Sequence, residues 1–268
     1  MTSVSVKNLV VTRSSYPAIA QSSFELPQHH CAIVTGPNGS GKTTLLKSIA
    51  GSVYVERGEI ALSREDQSAT SHNARELRRM AAYVGHTPLY MRHINVEEHL
   101  SLCAALDVQH SRSADYVLSP HDALDIFHLA SRAKVRVEDL SAGQQRRLHL
   151  ASSFVRSTPL LCVDEPHASL DDASKESLDV AVKHQYKAGR SFIIATHDPS
   201  RFQEIATHHI RIENGCTSME ENALRHSERS EESRRTHYEI LRSALNDNDA
   251  QDDNDVLNDN GDTAGESQ

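Results

Sequence analysis

Short apolar runs separated by longer amphipathic stretches set the pattern of this chain. Runs at Val4 to Val11, Cys31 to Val34, Met80 to Val84, Leu160 to Val163, Phe192 to Thr196 and His209 to Ile212 predict strands, and helical segments alternate with them. That alternation implies an α/β fold. A helix is expected from Thr43 to Ala50, stopped by Gly51. From Pro88 to Arg156 the pattern turns helical. Asn95 with Glu98 reads as an N-cap and capping-box partner for a helix through Leu106, and Ser119-Pro120 as N-cap and N1 of a helix through Ala130.

Beyond Cys216 the pattern fades. From Glu220 to Gln268 there are 14 acidic and 5 basic residues, which accounts for the whole net charge of −9 and leaves the preceding part neutral. An Asn/Asp-rich run from Asn246 to Asn260 holds almost nothing apolar. Such a composition cannot bury enough surface to offset ordering entropy, so 218–268 is expected to be a low-complexity acidic tail, mostly disordered, with a helical turn or two around Tyr238 to Leu245. The neutral core offers no basic footprint for nucleic acid. No run approaches the roughly 18 apolar residues that span a bilayer, and no signal peptide is visible. Cys31, Cys103, Cys162 and Cys216 show no C-x-x-C spacing. They read as thiols of a reducing compartment, with neither a disulfide nor zinc expected.

Candidate chemistry begins where the second strand ends. Gly36-Pro37-Asn38-Gly39-Ser40-Gly41-Lys42-Thr43, followed by Thr44, fits G-x-x-x-x-G-K-[ST] between a strand and a helix. The glycines let backbone N–H groups surround phosphate oxygens, and the helix directs its positive end at them. Lys42 is expected to reach the β- and γ-phosphates, and the Thr43 hydroxyl to sit on Mg2+. Tyr16 is the candidate for stacking on adenine, with a surface loop tyrosine as the competing reading.

Leu140-Ser141-Ala142-Gly143-Gln144-Gln145-Arg146-Arg147 resembles the LSGGQ signature of ATP-binding cassette (ABC) proteins, and the resemblance covers residues 1 to about 216. It implies a P-loop NTPase core, about 1–87 and 157–217, with an inserted helical subdomain at about 88–156 that carries the signature and docks on a membrane subunit. Met91 to Leu100 is the expected docking surface. The resemblance also implies that Ser141, Ala142, Gly143 and Gln144 contact the γ-phosphate of a nucleotide held by a second ATP-binding subunit, so that a head-to-tail homodimer encloses two ATP molecules.

The later motifs take their roles from the same resemblance. Asp164, at the end of the Leu160–Val163 run, would hold Mg2+ through water, and Glu165 would polarise the attacking water as general base. Asp171 belongs to a D-loop that crosses the dimer interface, and His197 is the switch histidine. Thr87 occupies the slot in which the family usually has a Q-loop glutamine, a departure that puts metal sensing and coupling in question. The short core, the Tyr83-to-Pro88 segment and the form of the signature are similar to the ATP-binding subunits of cytochrome c maturation haem exporters. That likeness implies a peripheral subunit on the cytoplasmic face of the inner membrane, bound to a multispanning permease. Another small exporter's ATPase is the alternative, and a non-transport ABC ATPase a more distant one. The 17 histidines do not point to direct haem binding, because His29-His30 and His208-His209 flank strands without a pocket-forming pattern.

Overall fold

The computed structural model describes residues 2–13, 16–64, 67–85, 90–106 and 115–222. The strands in it are β1 (Ser3–Arg13), β2 (Tyr16–Leu26), β3 (Cys31–Thr35), β4 (Arg57–Arg64), β5 (Gln67–Thr70), β6 (Ala81–Val84), β7 (Leu160–Asp164), β8 (Ser191–Ala195), β9 (His208–Glu213) and β10 (Cys216–Glu221). They form one sheet in the order β5-β4-β1-β2-β10-β9-β3-β8-β7-β6. The helices are α1 (Lys42–Ile49), α2 (Ala74–Met80), α3 (Val96–Ala105), α4 (Pro120–Ile126), α5 (Ala142–Phe154) and α6 (Asp172–Lys187).

The sheet has two characters. β3, β8, β7 and β6 pair in parallel. Their runs carry almost no polar side chain, as strands covered on both faces require, and β7 and β8 are buried along their whole length. β5, β4, β1 and β2 pair antiparallel instead. In β1 burial alternates at first, Val4 and Val6 facing the core while Ser3 and Ser5 are only half-buried. A hydrophobic core runs beneath both parts, from Val4, Leu9 and Ile60 through Leu45 and Ile49 of α1 to Cys162 and Ile193.

All six strands read from the sequence are present, with two shifts: Met80 ends α2, and its strand begins at Ala81, while β8 ends at Ala195 and leaves Thr196 outside. The antiparallel arm of β2, β4 and β5, and the closing strand β10, were not anticipated. β10 runs to Glu221, past the boundary expected near 217. The Asn95–Glu98 capping box forms in both directions. The helix from Pro120 is shorter than the expectation: it stops at Ile126, capped by Phe127, because His128 turns to a positive φ of 50° and a short 3-10 turn follows at Ala130–Arg132. The tail from 223 onward lies outside the described residues.

Two buried polar side chains tie the layers together. Arg190, at the entry to β8, is fully buried and donates to the Thr158 carbonyl at 2.9 Å, the Thr158 hydroxyl at 3.0 Å, the Ser153 carbonyl at 3.2 Å and Gln185 Oε1 at 2.7 Å. Gln185 in turn donates to the carbonyls of Tyr116 and Phe154 at 2.7 and 3.0 Å. Removing the guanidinium orphans these acceptors where water cannot replace it. Arg190→Ala is expected to cost about 3 kcal/mol of unfolding free energy in urea; a loss under about 1 kcal/mol would show that the knot is dispensable.

His30 makes stability depend on pH. Burial holds its pKa down at about 4, even though its Nδ1 lies 2.8 Å from the Pro27 carbonyl. Folding therefore excludes a proton that the unfolded chain accepts below its ordinary histidine value of about 6.5. Stability should fall as pH drops from about 6.5 towards about 4, by an amount on the order of 3 kcal/mol. Urea midpoints across that window should slope less steeply in His30→Gln, and an unchanged slope would assign the effect to other groups.

Candidate functional site

The parallel strands finish level with one another. Val34 pairs with Ala195, Ala195 with Asp164, and Val163 with Val84. The segments that follow β3, β7, β8 and β6 therefore emerge side by side at the carboxyl edge of the sheet, where ligands bind in open α/β folds. They carry Gly36–Thr43, Glu165 and His197. Thr87 lies in 86–89, outside the described residues.

Glycine is required at both ends of the first loop. Gly36 has a φ of 151°, and a Cβ there would lie 2.3 Å from the Ile212 carbonyl; Gly41, with a φ of 110°, would meet the Ala18 carbonyl at the same distance. Gly39, with a φ of 79°, opens onto free space. The N-cap of α1 is Gly41, which supplies no side-chain acceptor, and the first turn carries no acid. Its leading N–H groups are thus left to an external anion. The Ser40 hydroxyl is buried without a partner. Lys42, 8% exposed, donates from Nζ to the carbonyls of Gly36 at 2.7 Å and Pro37 at 3.1 Å, which holds its charge over the loop. An orphan hydroxyl, an open cradle and an anchored ammonium fit a polyphosphate. Pro37, Asn38 and Thr44 lie in the same loop and helix start, Asn38 exposed and Thr44 buried.

Beside this loop the Thr43 hydroxyl donates to Asp164 Oδ2 at 2.6 Å. A hydroxyl and a carboxylate oxygen form a hard-oxygen donor pair, which suits Mg2+. Glu165 follows at a φ of 48°, a strained conformation for a residue with a side chain; its N–H is tied to the Ala195 carbonyl at 2.9 Å. The His197 Nε2 lies 3.2 Å from Glu165 Oε1. Thr43 thus meets Asp164, and His197 meets Glu165, beside the loop that Lys42 closes.

The other candidates cap helices or open a strand. Ser141 caps α5, its Oγ accepting from the Gln144 N–H while Gln144 Oε1 accepts from the Ser141 N–H. Ser141 and Ala142 are exposed, and Gly143 has open space around it. Asp171 caps α6 by accepting from the Ser174 N–H at 2.8 Å, and hydrogen bonds from Ser174 lower its pKa. Tyr16 opens β2 opposite Arg13.

Several contributors were missed from sequence. The Tyr83 hydroxyl donates to Asp164 Oδ2 at 2.9 Å, and burial together with the Asp164 charge raises its pKa. Only its place on the strand paired with β7 could have pointed to it. His167 Nε2 lies 2.6 Å from Asp179 Oδ1, and Arg201 donates to Asp179 Oδ2 at 2.6 Å, so one buried carboxylate on α6 links the segments after Glu165 and after His197. Arg146, on α5, donates to the carbonyls of Gly85 and Glu165.

Comparison with known proteins agrees with this fold. The family model described as ABC transporter matches residues 19–168. A protein of Xanthomonas campestris pv. campestris (strain 8004) named cytochrome c biogenesis ATP-binding export protein CcmA is 31% identical over 78% of the chain and 94% of its own length. Its namesake from Roseobacter denitrificans is 37% identical over 72% of the chain and 84% of its own length. Among solved structures, an ATP-binding subunit of an ABC transporter superposes with a TM-score of 0.69 at 23% identity, covering 91% of this chain and 99% of that one. The cassette MJ0796, a dimer in a post-hydrolysis state bound to ADP and Pi, gives 0.68 at 19% identity over 81% and 98%.

The two loop glycines differ in what a methyl group would meet. Gly41→Ala should lower both urea stability and affinity for a fluorescent ATP analogue, because the new methyl group collides with the Ala18 carbonyl on top of the strain of a positive φ. Gly39→Ala should cost only the roughly 1–2 kcal/mol that its φ of 79° imposes on any side chain, since nothing lies within 4 Å of the added methyl group. Equal stability losses in the two variants would contradict this account.

Proposed function

Since the chain belongs to the ABC transporter family and is the ATPase subunit of a transporter, we propose that it energises an exporter complex for cytochrome c biogenesis, coupling ATP hydrolysis to haem export or to release of a haem-loaded chaperone. The observation that carries the site assignment is the meeting of three strand ends, with Thr43 on Asp164 and His197 on Glu165 at 2.6 and 3.2 Å. The names of relatives at 31% and 37% identity support the cytochrome c assignment.

Each residue then has a task set by its position. Gly36 through Thr44 wrap the phosphates with backbone donors, and Lys42 swings from its two carbonyls to the β- and γ-phosphates as charge develops there. Thr43 and Asp164 hold Mg2+, which when bound neutralises phosphate charge. Glu165 takes a proton from the attacking water, and His197, at its carboxylate, orients that water against the γ-phosphate. Ser141, Ala142, Gly143 and Gln144 present the N-terminus of α5 to the nucleotide of a second copy of this chain, whose own signature completes the first site. Asp171 lies at the same interface. Tyr16 stacks on adenine, and Thr87 stands at the Q-loop position.

Among the described residues no helix is long and apolar enough to cross a membrane. The work on the substrate falls to a multispanning, CcmB-like permease. The chain sits peripherally on the cytoplasmic face of the inner membrane, with 88–156 as its docking subdomain and 218–268 as an appended tail.

Lys42→Ala and Glu165→Gln should each remove most ATPase activity, by about 100-fold or more, as expected for groups whose contacts strengthen in the transition state. Haem-stained gels of c-type cytochromes from cells carrying Lys42→Ala should lose covalent haem while b-type cytochromes persist. Unaltered c-type haem would reassign the ATPase to another exporter; near wild-type turnover would overturn the site.

A further inference from the structure

Arg146 lies on α5, one turn beyond the Ser141 cap, and is 5% exposed. Among the described residues its guanidinium donates to backbone carbonyls alone. Nη1 donates to Gly85 at 2.6 Å, and Nη2 donates to Glu165 at 3.0 Å and, at a longer 3.5 Å, to Pro166. Nε is buried without a partner. Burying a cation costs several kcal/mol even after relaxation; the nearby Asp164 charge offsets part of this, but the guanidinium's own acceptors are neutral carbonyls, which offset it less well than a bound carboxylate. The arrangement is therefore expensive for packing alone.

The three acceptors explain what that expense secures. Gly85 is the last described residue before 86–89, and Glu165 and Pro166 follow β7. One fork thus joins the helix that carries the signature to the exits of two neighbouring strands. At Gly85 a Cβ would lie 2.3 Å from the Tyr83 hydroxyl, the group that donates to Asp164. Across the strand pair, Glu165 holds its φ of 48° between two restraints, its N–H on the Ala195 carbonyl and its own carbonyl on Arg146. A strained conformation persists only where its surroundings over-determine it.

We propose that Arg146 is a positioning residue for ATP hydrolysis, which fixes the Glu165 peptide to the signature helix so that the Glu165 carboxylate is aimed correctly only when α5 is seated against the ends of β6 and β7. The inference rests on the ATP-hydrolase reading of the site. The residue donates to backbone carbonyls. It acts through the backbone of Glu165, and it does so with a planar fork that a lysine cannot reproduce. An error of about 1 Å in aiming such a group costs up to about 100-fold in rate while leaving substrate binding largely intact.

The test uses the full chain and compares Arg146→Met and Arg146→Lys with wild type in steady-state ATPase assays, in affinity for a fluorescent ATP analogue and in thermal melting. Arg146→Met keeps the buried stem and should lower kcat about tenfold or more, with KM and analogue affinity within about twofold. Arg146→Lys, which restores the charge and one or two donors, should recover part of kcat. In a Glu165→Gln background the same Arg146→Met change should leave analogue affinity unaltered. A kcat within about twofold of wild type in Arg146→Met overturns the proposal, as does an affinity loss matching the loss of kcat. Failure of both variants to fold overturns it too, since Arg146 would then be a residue of the fold. Wild type and Lys42→Ala run alongside keep the two failures distinct: an inactive wild-type chain sinks the hydrolase reading and the proposal with it, whereas an active wild type with an inactive Lys42→Ala leaves only Arg146 at issue.

Discussion

Parallel pairing of β6, β7, β8 and β3 governs everything at the site. A parallel strand cannot return to its neighbour through a tight turn, so each of these strands must leave the sheet at the same edge. The register, Val34 with Ala195 and Ala195 with Asp164, brings those exits level. A phosphate loop, a pair of carboxylates and a histidine separated by more than a hundred residues of chain then meet without any of them needing a long side chain. Slipping one strand by a single residue would turn Asp164 away from Thr43 and send its carboxylate into the core.

The same strands were the easiest part of the fold to read. Cys31 to Val34, Leu160 to Val163 and Phe192 to Ala195 are apolar at every position, and a fully covered strand leaves no other pattern. Loop and signature residues announced themselves through spacing, because phosphate binding dictates glycine and lysine at fixed offsets. The antiparallel arm left a fainter trace. β2 carries Pro17, Gln21, Ser22 and Ser23 among its apolar residues, and β10 is mostly exposed and ends in two glutamates. Strands of this kind are defined by what they pair with, not by their own composition.

Arg146, Tyr83 and Asp179 were illegible for a related reason. A buried arginine on a helix and an ordinary surface arginine have the same letter. What distinguishes Arg146 is that two strand ends 80 residues apart present carbonyls to it, a fact of tertiary structure alone. The helix from Pro120 shows the opposite case. Its start was written in the Ser119 cap, but its end depended on His128 adopting a positive φ, which no propensity announces.

Asp179 has a consequence for anyone who would move parts between cassettes. Its two oxygens serve His167 on one side and Arg201 on the other. The two loops that flank the chemistry are thus not separate modules, for each borrows half of a carboxylate that belongs to α6. A graft that transplants either loop without that helix would strand a buried charge with a single partner, whereas one that carries α6 along brings its own counter-ion. The smallest exchangeable unit of this site is a loop–helix–strand–loop block running from Glu165 to Phe202.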